Sequence, residues 1–219
     1  MIVSYDGTPN DDDAIALARL LSRAQAAIAL AYVRHAREFD PRREELAEHD
    51  ARRRLEQGAA LLGDPDVAQH VVISPSTPEG LAELANSEGA SVIVFGSDYR
   101  TPPGHAEPGT SAQHLLEGGP IAIAVAPAGL RTQPDSAIRS IGVVASESDA
   151  SARRTAEALA ARLGASVAGA SNGSVDLTVV GSQGGSADGR IALSGVTRSA
   201  LDSARGSVLV LPTGTAALT

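Results

Sequence analysis

The chain has 219 residues, a formal net charge of −8, 43% hydrophobic residues and no cysteine. The acidic balance argues against nucleic-acid and membrane-surface roles, which need clustered positive field, and the missing cysteines remove disulfides, thiol catalysis and Cys-ligated metals. All 18 basic residues are arginine, which also excludes a Walker lysine, a Schiff-base lysine and a lysyl-adenylate.

Residues 2–5 read as a short strand that ends at Asp6-Gly7-Thr8. Residues 9–13 form a turn with capping residues, and 14–24 continue as a helix with apolar positions at Ile15, Leu17, Ala18 and Leu21. Residues 26–33 are apolar almost throughout, as in a strand buried on both faces. Asp40-Pro41 opens a charged helix to Leu62, with Leu46, Leu55, Leu61 and Leu62 on its inner side. A third strand at 67–74 and a helix from Thr77 to about Gly89 follow. Residues 92–95 form another buried strand, stopping at Gly96-Ser97. A Pro- and Gly-rich loop covers 98–108, Gly109-Thr110-Ser111 opens a helix, and 121–125 form the fifth strand. This alternation predicts an α/β fold with an open parallel sheet covered on both sides. No apolar run approaches the roughly 18 to 20 residues of a membrane span. MIVSYDG enters a strand without a signal-peptide core, so a cytoplasmic location is expected.

After residues of linker composition the pattern restarts, with a strand at 141–145, a helix at 151–163, a strand at 175–180, a helix from Ser194 to about Ala204 and a strand at 207–211. VIVFGS and LTVVGS correspond, as do GTSAQHLLEGGPIAIAVAP and SGVTRSALDSARGSVLVLP, which is an internal repeat. The predicted organisation is a complete domain at 1–127, a linker at 128–139 and a shortened second copy at 140–219. Only residues 164–174 separate the second copy's first helix from its next clear strand. A parallel return needs about a dozen residues, so residues 166–170 are not expected to make a complete second strand.

The stretch from strand to glycine loop to helix presents backbone N–H groups and a positive dipole end, to which an anion is suited. Gly96, two residues, Tyr99, nine residues, then Gly109-Thr110 resembles the nucleotide loop of the universal stress protein family, Gly-x2-Gly-x9-Gly-Ser/Thr. Tyr99 stands where the middle glycine belongs. The resemblance covers nearly the whole chain, in the manner of the family's tandem members. It implies a Rossmann-like, adenine-nucleotide α-hydrolase-like fold, ATP on the loop, and Mg²⁺ beside the phosphates. It further places Asp6, Gly7 and Thr8 on the family's Asp-Gly-Ser near the nucleoside, Val33 at the backbone contact to adenine, and Gly96, Gly109, Thr110 and Ser111 around the phosphates. Asp6 and Gly96 should meet at the sheet's switch point.

Each residue also has a plainer reading: Asp6 as a turn or cap residue, Val33 as core, Arg100 as an exposed loop arginine. Tyr99 either closes over a ligand or fills an emptied site. Asp11-Asp12-Asp13 suits either Mg²⁺ or a helix dipole. Arg52-Arg53-Arg54 reads as intrahelical pairing with nearby acids. His35, His49, His70, His105 and His114 are scattered, and only His105 lies in the loop. In the second copy Gly181 and Gly184 keep the loop's opening, Ser194-Gly195 inverts the later glycine, and Glu147 stands where Asp6 stood, so a complete ATP site is not expected there.

The reading is a stress-response or regulatory binding protein rather than an enzyme, with the bound state as its output. Slow ATP hydrolysis would fit without being the function. The alternative is a fold that has lost its nucleotide and acts as a protein-interaction module. No catalytic or metal residues are assigned. The halves are expected to pair within the chain, with a homodimer as the other arrangement.

Overall fold

The computed structural model describes residues 1–145, 150–169, 175–183 and 186–219. In chain order the first part contains β1 (Ile2–Ser4), α1 (Pro9–Ser22), β2 (Ala29–Arg34), α2 (Pro41–Leu62), β3 (Ala68–Ile73), α3 (Thr77–Ser87), β4 (Val92–Phe95), α4 (Thr110–Leu116) and β5 (Ala122–Val125). A 3-10 turn at Leu130–Thr132 follows, then β6 (Ser140–Val144), α5 (Ser151–Leu163), β7 (Ser166–Gly169), β8 (Leu177–Val180), α6 (Gly195–Asp202) and β9 (Ser207–Val210).

The helices start where the chain can satisfy its free N–H groups. Thr8 and Asp11 form a capping box in front of Pro9, which starts α1 five residues ahead of the expected helix. Asp40 caps α2 by accepting from the Arg42 and Arg43 N–H groups, and Ser76 caps α3.

The strands form one nine-stranded sheet in the order β3-β2-β1-β4-β5-β9-β8-β6-β7. Every pairing is parallel except β5 with β9, where Ile123, Ala124 and Val125 face Val210, Leu209 and Val208 in antiparallel register. Side chains alternate between two layers. Val3, Val94 and Leu209 pack with Leu17, Leu55 and Leu159 on one face. Ile2, Ile93 and Val208 pack with Leu81, Leu115 and Leu201 on the other. This explains why the strands are apolar without alternation.

The two parts follow one path. Strand order β3-β2-β1-β4-β5 in the first is matched by β7-β6-β8-β9 in the second, less one edge strand. The loop contacts recur at a constant offset. The Ser97 hydroxyl donates to the Ala126 carbonyl at 2.6 Å, as Ser182 does to Leu211 at 2.7 Å. The Gly104 and Gly189 N–H groups donate to the Ala128 and Thr213 carbonyls, each at 2.9 Å.

The expectation for residues 166–170 is corrected here. Ser166–Gly169 is a strand, paired in parallel with β6 from Ser140↔Ser166 to Val143↔Gly169. The path back from Gly169 to Leu177 partly lies outside the described residues. Eight residue steps of about 3.3–3.6 Å each exceed the length of a four-residue strand plus two strand spacings of about 4.8 Å. The requirement of a dozen residues applies to strands of ordinary length.

Candidate functional site

The chain leaves β1 toward β2 and β3 on one side and resumes at β4 on the other, so a crevice opens beyond the carboxyl ends of β1 and β4. Gly7 turns the chain with φ of +84°, a value that suits glycine. Asp6, Gly7 and Thr8 thus form one turn in front of α1. The Asp11 carboxylate gathers that turn, accepting from the Asp6 N–H at 3.1 Å, the Thr8 N–H at 2.9 Å and the Thr8 hydroxyl at 2.7 Å.

The three consecutive acids have separate tasks. Asp11 holds the turn, Asp12 accepts the Tyr5 hydroxyl at 3.0 Å, and Asp13 reaches the linker. Desolvation raises the Asp11 pKa against its hydrogen bonds from Thr8 and Asp6. The Asp6 carboxyl is also raised, by desolvation and then by Asp11, while Arg54 and His35 act the other way. Among the described residues no group of three or more His, Asp or Glu side chains is arranged to hold a metal ion.

Tyr5 is fully buried, and desolvation followed by the Asp12 charge pushes its phenol well above its ordinary value. The unfolded chain therefore loses this proton first, so stability is expected to fall as pH rises beyond about 10. With no lysine in the chain, no lysine ammonium titrates on that alkaline limb. Thermal unfolding from pH 8 to 11 should show the decline, and Tyr5→Phe should flatten it.

Arg54 is a site-facing residue that the sequence pattern concealed. Arg52 pairs with Glu48 and Arg53 with Asp50 at 3.0 Å, as intrahelical pairing predicts. Arg54 instead donates to the Asp6 carbonyl at 3.1 Å, with its guanidinium 5.2 Å from the Tyr32 ring centre. No local spacing marks which of three arginines leaves the helix surface.

Val33 is buried at the end of β2. The Tyr5 N–H donates to the Ala31 carbonyl and the Ser74 N–H to the Arg34 carbonyl. By strand alternation the Val33 N–H and C=O face the β1 side. The chain has turned away there at Gly7, and neither group has a strand partner among the described residues. Gly96 closes the crevice floor: a Cβ there would lie 2.0 Å from the Asn10 carbonyl oxygen. The Asn10 side chain donates to the Ser97 carbonyl at 2.7 Å.

The loop after Gly96 folds on itself, with the Asp98 N–H donating to the Glu107 carbonyl at 2.8 Å. Tyr99 is 73% exposed, and its ring lies 4.9 Å from the Arg100 guanidinium. It therefore packs on its neighbour rather than into the crevice. Gly109 caps α4 with an ordinary φ of −71° and has open space where a Cβ would stand. Thr110 is exposed and Ser111 half-buried. A cavity of about 440 Å³ at this helix start is lined by Asp98, Glu107, Pro108, Thr110, Gln113 and Asp202. Asp6 and Val33 are not among its walls.

In the second part, Gly181 approaches Ala145 and Ala152, with its Cβ position 3.0 and 3.2 Å from theirs, and Ser194 caps α6. Glu147 and Gly184 lie outside the described residues.

The family model described as the universal stress protein family matches residues 1–127. The chain belongs to the universal stress protein family. Among solved structures, a universal stress protein from Archaeoglobus fulgidus DSM 4304 superposes with a TM-score of 0.70 at 12% identity, over 96% of this chain and 97% of that one. A functionally unknown protein from Pseudomonas aeruginosa PAO1 superposes with a TM-score of 0.62 at 12% identity, over 97% of this chain and 92% of that one. At these identities the likeness concerns the fold, and it extends well beyond residue 127. No curated protein matches the chain. No helix among the described residues is long and apolar enough to cross a membrane.

Proposed function

We propose that this universal stress protein is a regulatory binding protein of the stress response, built from two copies of one domain and holding an adenine nucleotide in the first. The observation that carries this reading is the pair of unpartnered backbone groups on Val33, beside Asp6 at the crevice. A purine edge needs one donor and one acceptor of that kind. Gly96 keeps the floor low, and Gly109 leaves space at the start of α4 for a phosphate, with Mg²⁺ offsetting the nearby Asp98, Glu107 and Asp202 carboxylates. The bound state is the output, and turnover is not part of the proposal. A cytoplasmic location accords with the reading.

The test is calorimetric titration of ATP with Mg²⁺ into protein first checked for co-purified nucleotide. One site per chain is expected, abolished by Gly109→Asp. That variant should fold, since the position has room and an ordinary φ. Two sites per chain would overturn the single-site reading.

A second reading rests on those same three carboxylates and on Tyr99 in place of a glycine. There the fold has lost its nucleotide and serves as an interaction module. Absence of heat together with absence of co-purified nucleotide would select it.

A further inference from the structure

Where the carboxyl end of β5 meets the amino end of β9, the two parts enclose a cavity of about 650 Å³ that neither makes alone. This is within the usual size of small-molecule sites. Leu20 and Leu130, both buried, belong to its walls. Three basic residues line it from three separate segments: His105 from the glycine loop, Arg139 from the end of the linker and Arg205 from the turn before β9. His105 and Arg205 are opposed in an antiparallel bridge, and the Gly206 N–H donates to the Gly104 carbonyl at 3.1 Å. Residues opposed in this way present their side chains on one side of the contact.

Two acids, Asp135 and Asp176, share the wall, and neither forms an ion pair with these groups among the described residues. The Asp176 carboxylate accepts from the Arg139 N–H and the Ser140 N–H, each at 2.9 Å, and from the Ser140 hydroxyl at 2.8 Å. These bonds hold the turn that carries Arg139, and its guanidinium is not among the donors to Asp176. Asp135 is exposed on the linker. Among the described residues neither Arg139 nor Arg205 has an ion-pair partner.

We propose that this junction cavity binds a small phosphate-type dianion, gripped by Arg139 and Arg205 with His105 beside them. Two guanidinium forks offer the planar, charged donors that tetrahedral oxyanions accept, and an imidazole stands beside them. The site is separate from the proposed nucleotide crevice. Because His105 belongs to the loop that begins at Gly96, an occupant would brace that loop against the second half.

Calorimetric titration of the full chain with inorganic phosphate, and separately with pyrophosphate, tests the proposal. One site per chain is expected, weakened at least about ten-fold by Arg139→Ala and by Arg205→Ala. Neither arginine side chain has an ion-pair partner among the described residues, so thermal unfolding of both variants without ligand should match the parent. Gly109→Asp should leave the binding intact. No heat at tens of millimolar phosphate and pyrophosphate would overturn the proposal. So would binding that survives the double arginine variant, or binding that is lost on Gly109→Asp, which would assign the anion to the nucleotide loop.

Discussion

Asp13→Ala is expected to lower stability by about 3–5 kcal/mol, since it leaves three hydrogen-bond donors without their acceptor at about 1–3 kcal/mol each. Asp13 lies on α1 with no exposed surface. Its carboxylate accepts from the Gly129 N–H at 2.9 Å, the Arg131 N–H at 2.7 Å and the Arg131 guanidinium at 2.7 Å. The change leaves two backbone N–H groups and a partly covered guanidinium without their acceptor. It also loosens the 3-10 turn that fixes where the linker leaves the first half. For a chain of this size the melting temperature should drop by about 6–20 °C. Asp13→Asn keeps the shape and one acceptor, so it should lie between parent and Ala variant. Parent-like melting of both variants would show that the linker is held by other contacts.

Gly96→Ala should cost about 3 kcal/mol, at the upper end for overpacking. Its Cβ would stand 2.0 Å from the Asn10 carbonyl oxygen and 2.5 Å from the carbonyl carbon. These are backbone atoms in the first turn of α1 and cannot swing aside like a side chain. The helix start and β4 must separate, which breaks the 2.7 Å bond from the Asn10 side chain to the Ser97 carbonyl. Gly109→Ala is the matched control, with nothing within 4 Å of its Cβ position. Chemical denaturation should therefore separate two glycines of one sequence motif, Gly96 required by the fold and Gly109 free of that requirement. Equal losses for the two variants would refute the packing argument.

Much of this architecture was legible in the chain. Apolar runs such as VIVF and AIAV announce strands covered on both faces, and Asp40-Pro41 announces a helix start. The repeated loop could be read from VIVFGS and LTVVGS because its contacts are made by the same residue types in the same order. The short β7 escaped because four residues carry little periodicity and a brief return path was judged by the needs of longer strands. Arg54 escaped because its neighbours Arg52 and Arg53 have the same local surroundings and do the opposite thing.

The sequence by itself determined the α/β class and the open, mostly parallel sheet, since these rest on local spacing and on propensities that act within a few residues. Only the tertiary structure decided that β5 and β9 join the halves into one sheet in antiparallel sense, that Asp13 holds a linker 118 residues away, and that His105, Arg139 and Arg205 share one cavity. The reason is physical: a hydrogen-bonded strand edge or a buried carboxylate accepts any partner of suitable geometry. Which distant segment meets that requirement is settled by how the whole chain packs.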